Sequence, residues 1–216
     1  MTPHATELEG VYTKLERLSV AEHAGRGLYD AVVGPADSAV RFKHLPEHAP
    51  TNIDEFVAMM KAKEASKDPM FYAIVDKATN VVGGYISLMR IDPENGVCEI
   101  GHVYMGPDIS QSCVATETVY LLLKYVLNEL GYRRVEWKCD SLNQKSRRAA
   151  GRFGFQLEGT FRKHKVVKGL NRDTMWFSMT DDDWKGSAEA CFVQWLDPSN
   201  FTADGKQIHN LVSFRK

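Results

Sequence analysis

The sequence lacks an apolar run of the ~18–20 residues that a membrane-spanning helix needs. Its first ten residues, MTPHATELEG, also lack the basic and apolar regions of a signal peptide. The four cysteines of the 216-residue chain form no CxxC pair and show no pattern of nearby histidine ligands. Such isolated thiols are typical of a reducing compartment. We therefore expect a cytoplasmic protein that binds no metal and no membrane.

A strong charge of either sign is also absent. The 27 Lys and Arg residues are balanced by 28 Asp and Glu residues, which leaves a formal net charge of −1. The basic residues between Arg162 and Arg172 form a cluster, but strand alternation over Phe161–Val167 would divide their side chains between two faces. This distribution is typical of a solvated hairpin rather than a phosphate-binding track, although it could attract an acidic acceptor or peptide. We expect no nucleic-acid partner.

What the sequence does contain is one continuous stretch, Val97–Phe155, that reads as strand, loop, helix, strand, turn and helix. Val97–Met105 is apolar on both faces, which indicates a strand covered on both sides. A helix with apolar residues at helical spacing follows from about Thr116, and Gly131 suits the position just past its end. Arg133–Cys139 must then return parallel to the first strand if the helix is a crossover.

The elements around this stretch follow from the same periodicities and from turn residues. Asn52, with Glu55 three residues later, marks the start of a helix, and Ser19 caps another. The length, with 44% hydrophobic and 25% charged residues, suits one globular domain with an appendage or two small domains. The other predicted elements are strands at Gly10–Leu18, Phe71–Val75, Val82–Ile91, Thr160–Val167 and Thr174–Met179, helices at Val20–Asp30, Ile53–Glu64 and Ser187–Leu196, and a loop at Gly34–Pro50.

The loop Asp108–Ala115 would present unpaired backbone N–H groups beside the dipole of the helix that follows. Phosphate or pyrophosphate fits such a position. The segment Ser110–Ala115 contains no glycine, however, so the glycine-rich signatures of nucleotide-binding folds are missing. On backbone chemistry alone, Ser112 or Thr116 could equally be the cap of an ordinary helix.

Four segments carry a resemblance to a known family, and together they run from about Gly83 to Trp184, roughly half of the chain. They are EIGHVYMGP, ATETVYLLLKYVLNELGYRRVEWKC, LNQKSRRAAGRFGFQLEGTFR and KGLNRDTMWFSM. In order and spacing they resemble the acetyl-CoA-binding core of the GNAT superfamily of N-acetyltransferases, specifically its ribosomal-protein (Rim-type) branch. The pyrophosphate loop of that superfamily carries glycines at the third and fifth places after a Gln or Arg, and the corresponding SQSCVAT lacks both.

The resemblance implies an α+β / α/β GNAT fold, with a mixed central sheet, a splayed parallel strand pair and flanking helices. Residues 1–184 would form the acetyltransferase domain, and residues 185–216 a C-terminal helix and arm packed on it. The coenzyme would be acetyl-CoA, whose pantetheine enters the gap between the splayed strands. The implied coenzyme-binding residues are Val103, Tyr104 and Met105 through the main chain, Ser110, Gln111, Ser112, Cys113, Val114, Ala115 and Thr116 around the pyrophosphate, and Asn143 and Ser146 along the pantetheine.

Asn143 and Ser146 match the N-x-x-S signature of this branch, which gives each an implied role. Asn143 would bond the pantetheine amide, and Ser146 would protonate the departing sulfur. Both residues also suit a helix start, with Asn143 as N-cap and Ser146 in the first turn. The two interpretations are compatible.

Acetyl transfer to an amine needs the amine to be neutral. A lysine-like amine with a pKa near ~10.4 is mostly protonated at neutral pH, so a base is useful. Glu99 is the first candidate because a lone carboxylate in an apolar strand needs a partner or a function. It could instead be paired with Arg90 or Lys138 on a neighbouring strand. His102, with an ordinary pKa near ~6.5, competes as the base, but strand alternation places it on the opposite face from Glu99.

The expected activity is transfer of an acetyl group from acetyl-CoA to a primary amine by direct attack in a ternary complex. The acceptor would be a protein N-terminus or a small amine, and the resemblance implies that Phe42, His44 and Phe56 contact it. The alternative is a non-catalytic module of the same fold that binds acyl-CoA or a partner as a sensor. We expect a monomer or a homodimer.

Overall fold

The computed structural model describes residues 1–203 and 205–215. Its centre is an eight-stranded sheet with the order β1-β2-β3-β4-β5-β6-β8-β7, in which β5 and β6 are parallel and all other neighbours antiparallel. The mixed sheet with one parallel pair confirms the predicted fold class. The strands are β1 Glu7–Glu9, β2 Thr13–Arg17, β3 Met70–Asp76, β4 Val81–Asp92, β5 Val97–Met105, β6 Arg134–Asp140, β7 Gln156–Val167 and β8 Leu170–Thr180.

Helices cover both faces of the sheet, and none of them is long and apolar enough to cross a membrane in the part of the chain that the structure describes. Helices continue into a π-helical turn at Tyr125–Glu129 and Trp184–Ala188, whereas Ala24–Leu28 contains a kink at Arg26 and Gly27. The α-helices are α1 Val20–His23, α2 Tyr29–Val33, α3 Ser38–Arg41, α4 Ile53–Ala65, α5 Cys113–Lys124, α6 Gln144–Phe153, α7 Asp181–Asp183 and α8 Glu189–Leu196.

The predicted boundaries agree best where periodicity and caps coincide. Strand β5 has the predicted bounds, and α4 begins after Asn52, whose Oδ1 accepts the Glu55 N–H at 3.0 Å. The prediction that α5 begins near Thr116 is wrong by one turn, because Ser112 is the N-cap and accepts the Ala115 N–H at 3.3 Å.

Two further predictions, one of a helix and one of a hairpin turn, are corrected at glycine residues. The predicted helix Val20–Asp30 is interrupted at Gly27, whose φ of 103° lies in the left-handed region that glycine adopts without strain. The turn between β7 and β8 is confined to Lys168 and Gly169, so the hairpin is longer than predicted.

The two faces of the sheet carry two separate apolar cores. One lies under α5, α6 and α8 and includes Leu122, Val126 and Trp184. The other lies under α1 to α4 and includes Phe56 and Met60. Each fully buried side chain of this size contributes roughly 1.5–3 kcal/mol through removal of apolar surface from water. The sheet is thereby held as a rigid layer between the two cores.

A buried carboxylate anchors the first core to the N-terminal strands. Glu117 on α5 is only 2% exposed, and its oxygens accept the backbone N–H groups of Val11, Tyr12 and Thr13 at 2.8, 2.6 and 2.7 Å. Gly10 must be glycine here, because a Cβ atom would lie 2.3 Å from the Glu117 carboxylate carbon.

The C-terminal residues pack against the same core. Helix α8 contacts α5, and the Trp195 indole N–H donates to Gln207 Oε1 at 3.0 Å. The guanidinium of Arg215 donates to the carbonyls of Gly151 and Arg152 at the end of α6. The predicted separation of residues 185–216 from the main domain stays a prediction.

Candidate active site

Strands β5 and β6 separate halfway along their length. They are paired from Val97 with Arg134 to Ile100 with Trp137, and the second half of β5 has no partner on β6 among the described residues. Beyond that point β6 continues to pair with β8 on its other side, where Lys138 lies opposite Trp176. The gap leaves one backbone edge of β5 open towards β6, which is the arrangement a pseudo-strand ligand such as pantetheine requires.

The loop after β5 leads directly to the N-terminus of α5. Ile109 anchors the loop with 2% exposure, and its side chain packs where a Cβ on Gly83 would lie. Gln111 has a φ of 62°, the left-handed conformation usually left to glycine. The N–H groups of Cys113 and Val114 donate to no backbone carbonyl in the described part of the chain, although both approach the Cys113 thiol. The loop therefore fits an anionic group despite its lack of glycine.

Asn143 and Ser146 lie at the start of α6, beside the point at which the strands separate. Asn143 is the N-cap, and its Oδ1 accepts the Ser146 N–H at 3.1 Å. The Ser146 hydroxyl oxygen accepts the indole N–H of Trp137, the last paired residue of β6, at 2.9 Å. This bond fixes the oxygen, and the hydroxyl also forms a hydrogen bond with the thiol of Cys139 on β6. The cap interpretation is confirmed, and the coenzyme role stays a prediction.

A β-bulge changes the direction of the side chain at His102. The register between β4 and β5 shifts between the pairs Tyr85–Tyr104 and Ser87–Gly101, and His102 has a φ of 47°. Its ring lies 5.3 Å from that of Phe71, a member of the core under α1 to α4. Simple alternation is interrupted, so the prediction that His102 lies opposite Glu99 is wrong.

His102 lines a cavity of about 630 Å³ between α4, the segment before it and the sheet. Its Nδ1 lies 3.7 Å from Glu47 Oε1, and the same oxygen accepts a close contact from the Lys63 ammonium. Lys63 is 4% exposed, and its Nζ stands 4.7 and 5.1 Å from the ring centres of Phe71 and Tyr85. The cavity therefore brings together the imidazole of His102, the carboxylate of Glu47 and the buried ammonium group of Lys63.

The charges in this group alter each other's protonation. Burial lowers the pKa of His102, Lys63 adds to that effect, and Glu47 opposes it. Burial also lowers the pKa of Lys63 against the opposing carboxylate. For Glu47, burial acts to raise the pKa, but the Lys63 charge and hydrogen bond together with the His102 charge hold the pKa below its ordinary value. His102 is accordingly a neutral imidazole near neutral pH.

Sequence reasoning missed Glu47 and Lys63. A signal for Lys63 was present, since Phe56, Met60 and Lys63 follow helical spacing and place a lysine on the buried face of α4. Glu47 lies in a segment without periodicity, so its position could not be read from the sequence.

Glu99 forms ion pairs. An ion-paired carboxylate was the alternative to a catalytic base that the sequence left open for this residue. Its Oε2 lies 2.8 Å from Lys138 Nζ and 3.2 Å from Arg90 Nε, and the side chain is 7% exposed. Lys138 also approaches Glu136 Oε2 at 2.6 Å. Glu99 is therefore held between two cations, outside the set of residues that line the cavity.

The three residues expected to contact the acceptor lie in different surroundings. Phe42 and Phe56 are buried at 1% and 0% exposure and pack on Tyr104 and Tyr29. His44 is more accessible, with Nδ1 3.3 Å from Asp140 Oδ2 at the end of β6. The structure thus gives the two phenylalanines packing contacts, while a contact between the acceptor and any of the three stays a prediction.

This geometry agrees with a comparison against protein-family models. Residues 21–156, well over half of the chain, match the model described as the Acetyltransferase (GNAT) domain. The chain belongs to the GNAT acetyltransferase family, as the resemblance predicted.

Individual relatives give the same result. The chain is 31% identical over 115 residues to an N-acetyltransferase, p20, of Bacillus licheniformis, covering 53% of this chain and 64% of that protein. It is 31% identical over 103 residues to a Bacillus subtilis protein named as a ribosomal N-acetyltransferase, YdaF, covering 48% and 56%. The matches thus span less than two thirds of both relatives. The crystal structure of a GCN5-related N-acetyltransferase from Brucella melitensis superposes with a TM-score of 0.95 at 45% identity, over 99% of this chain and 96% of that one.

Proposed function

We propose that the protein is an acetyl-CoA-dependent N-acetyltransferase that modifies a primary amine by direct attack in a ternary complex. One observation carries the proposal. At the point where β5 leaves β6, the bulge of β5 turns His102 into the neighbouring cavity. A thioester in the gap and an amine in the cavity would meet at this place.

His102 is the base in this proposal. Its lowered pKa keeps the imidazole neutral, and a neutral imidazole can accept the proton of an ammonium group as attack begins. Glu47, 3.7 Å away, would stabilise the imidazolium that results. The phenyl ring of Phe71 lies against the imidazole and limits its rotation. Glu99 would act as a structural anion that positions Lys138 and Arg90.

The coenzyme would supply the activated acetyl group as its thioester. Main-chain groups of Val103, Tyr104 and Met105 on the open edge of β5 would orient it. The capped start of α5 would hold the pyrophosphate, and Asn143 the pantetheine amide. Ser146, fixed by the Trp137 indole, would donate its proton to the sulfur as the thiol departs.

Two measurements test the proposal. Acetyl-CoA should raise the melting temperature of the protein, because any ligand that binds the native state stabilises it by mass action. Thiol release in the presence of a panel of amines and peptides should then reveal turnover. If millimolar acetyl-CoA produces no shift, the coenzyme assignment is wrong, whereas a shift without turnover on any acceptor would favour the sensor.

Matched variants assign the base. His102→Asn should reduce turnover by ~10²–10⁴ with the acetyl-CoA-induced thermal shift unchanged. Glu99→Gln should retain most of the activity under the same conditions. If Glu99→Gln instead loses turnover while His102→Asn is nearly normal, and both remain folded, the base is Glu99, as the sequence first indicated.

A further inference from the structure

The open half of the sheet offers a surface that the proposed chemistry does not use. Helices α1 to α4 cover β2 to β5 on the acceptor side. On β6, β8 and β7 the same side carries polar residues and an aromatic group, with no helix over them in residues 1–203 and 205–215. We refer to this region around Trp176 as the hairpin face.

Aromatic rings form the floor of the hairpin face. The ring of Phe161 lies 4.6 Å from that of Trp176, and the ring of His164 lies 5.8 Å from it. His164 Nδ1 is 2.9 Å from Thr174 Oγ1, which fixes the orientation of the imidazole. Phe161 is 52% exposed although it is a large apolar side chain on a long edge hairpin. Exposed aromatic side chains of this kind are common where a ligand or partner binds.

Cations surround the floor and outnumber the anions. Lys138, 3.9 Å above the Trp176 ring centre, is neutralised by Glu99 and Glu136. Lys165 and Arg172 face each other across β7 and β8, and within the described chain neither has a carboxylate within 4 Å.

The mutual effect of these cations shows that they lie close together. Partial burial and then the charges of Arg90 and Arg172 lower the pKa of Lys165. Partial burial and then Lys165 and Arg172 lower the pKa of His164. Like charges that lie close together and exceed their counterions are stabilised when an anion binds between them.

The hairpin face adjoins the rim of the acceptor cavity. The backbone N–H of Arg90 donates to Asp68 Oδ1 at 2.7 Å, and Pro69, the next residue, lines the cavity. A chain that leaves the cavity past Pro69 would therefore meet Arg90 and then the cations of the hairpin.

Building on the proposed acetyltransferase function, we propose that the hairpin face binds a carboxylate of the acceptor, and that the acceptor is a peptide with acidic residues following its amine. Lys165 and Arg172 would pair with the carboxylate, while Trp176 and Phe161 pack against the chain that carries it. The face is open to solvent and continues from the cavity, so it suits a polymer that extends beyond the active site. Its surplus positive charge gives the preference for acidic residues.

Matched peptides test this directly. Each pair would share an N-terminal Ser or Ala and carry Asp and Glu, or Asn and Gln, at the next three positions. In the wild type, kcat/KM should be about fivefold to tenfold higher for the acidic member, as expected for two partly exposed ion pairs, and the difference should shrink with added salt. In the double variant with Lys165→Gln and Arg172→Gln, the ratio should fall to about one while the rate on the neutral peptide is retained.

The control variant is Lys185→Gln, which removes an exposed lysine on the far side of the fold and should leave the ratio unchanged. A ratio of one in the wild type, or a preference that survives the double variant, would overturn the inference. A phosphoserine peptide preferred over an otherwise neutral one, without discrimination between carboxylate and amide, would overturn the choice of a carboxylate.

A failure of the proposed function is distinguishable from a failure of this inference. If no peptide is acetylated, calorimetric titration of the acidic and neutral peptides into the protein still measures the preference without turnover. Tighter binding of the acidic peptide that is lost in the double variant would support the inference, and equal binding of both peptides would contradict it.

Discussion

Two glutamates on opposite faces of the sheet have different surroundings: Glu117 is buried, whereas the side chain of Glu47 is 29% exposed. Glu117, under α5, accepts three backbone N–H groups. Glu47, on the acceptor face, interacts with the side chains of Lys63 and His102 and with its own backbone N–H. Within the described chain, Glu47 Oε2 and His102 Nδ1 have no hydrogen-bond partner although both atoms are buried.

This difference in partners distinguishes a carboxylate that stabilises the fold from one that is suited to a role in the reaction. Backbone donors are fixed by the fold, so the carboxylate of Glu117 has a single stable arrangement. Side-chain partners can exchange protons and reorient, and a buried polar atom without a partner costs about 1–3 kcal/mol until a ligand supplies one. Glu117 thus stabilises the fold, whereas the group around Glu47 is suited to receive an amine.

Removing the structural glutamate should have the largest effect. Glu117→Ala leaves three backbone donors without an acceptor, and we expect a loss of about 3–5 kcal/mol in the free energy of unfolding. Urea denaturation measures the loss, with Glu22→Ala on exposed α1 as a near-neutral control. A loss below about 1 kcal/mol would mean that water replaces the carboxylate, and the contrast with Glu47 would disappear.

The stability lost on substitution of Glu47 should instead be recovered by a second substitution, at Lys63. Glu47→Gln leaves Lys63 buried without a counterion, which should cost ~2–3 kcal/mol because the lysine can relieve part of the penalty by losing its proton. Combining it with Lys63→Met should restore stability to within about 1 kcal/mol of the wild type, since no buried charge is then left without a counterion.

The double variant should nevertheless turn over more slowly, because the imidazolium of His102 loses its counterion. Comparison of its unfolding free energy with its kcat separates the two effects. If stability is not restored by Lys63→Met, Glu47 is a structural residue like Glu117.

The pH dependence of turnover should report the same group. His102 has a pKa lowered below its ordinary 6.5 by burial, so its basic form is present at neutral pH and is lost as the pH falls through the lowered value. We expect kcat to decline about tenfold per pH unit below that point. The groups that face His102 are Glu47 from the preceding segment, Lys63 from α4 and Phe71 from β3.

The control for this profile is Glu47→Gln. Without the carboxylate, which acts to raise the pKa of His102, the acidic limb should move to still lower pH. An unchanged limb in this variant, or one that persists in His102→Asn, would assign the titration to another group.

The smallest effects are expected at the start of α6. Here Asn143 has a structural role as the helix cap, and Ser146 has a proposed role in the reaction. Asn143→Ala removes a cap and should cost about 0.5–2 kcal/mol in stability, together with a higher KM for acetyl-CoA. Ser146→Ala should chiefly lower kcat, and modestly, because a thiolate can leave unaided. A thioester with a more acidic leaving thiol should rescue Ser146→Ala alone. Equal rescue of both variants would make Ser146 a first-turn residue without a proton to give.

The sequence predicted the fold well where periodicity is undisturbed. The bounds of β5, the Asn52 cap and the parallel return of β6 all followed from local pattern. The position of His102 did not, because strand alternation assumes an unbroken register, and Gly101 inside the strand, a common sign of a bulge, was not used. Glu47 was missed because its partners are contributed by α4 and β5, which are distant in the chain.

The sequence also could not show how many partners Glu99 has. Both Arg90 and Lys138 were named as candidates, and the structure uses both. Residue types therefore indicated the kind of interaction, while the number of partners depended on how three strands pack side by side.

The bulge of β5 also determines what a deletion in this strand would remove. One extra residue lies between Gly101 and Tyr104, and Tyr104 stacks on the same side of the sheet as Phe42 and Tyr85. Deleting His102 would restore strict alternation and still leave Tyr104 opposite Tyr85 in the same core, so the deletion would remove the imidazole from the cavity without redirecting the rest of β5. Related chains that lack the extra residue should therefore keep the packing of Tyr104 but have no imidazole at this place in the cavity.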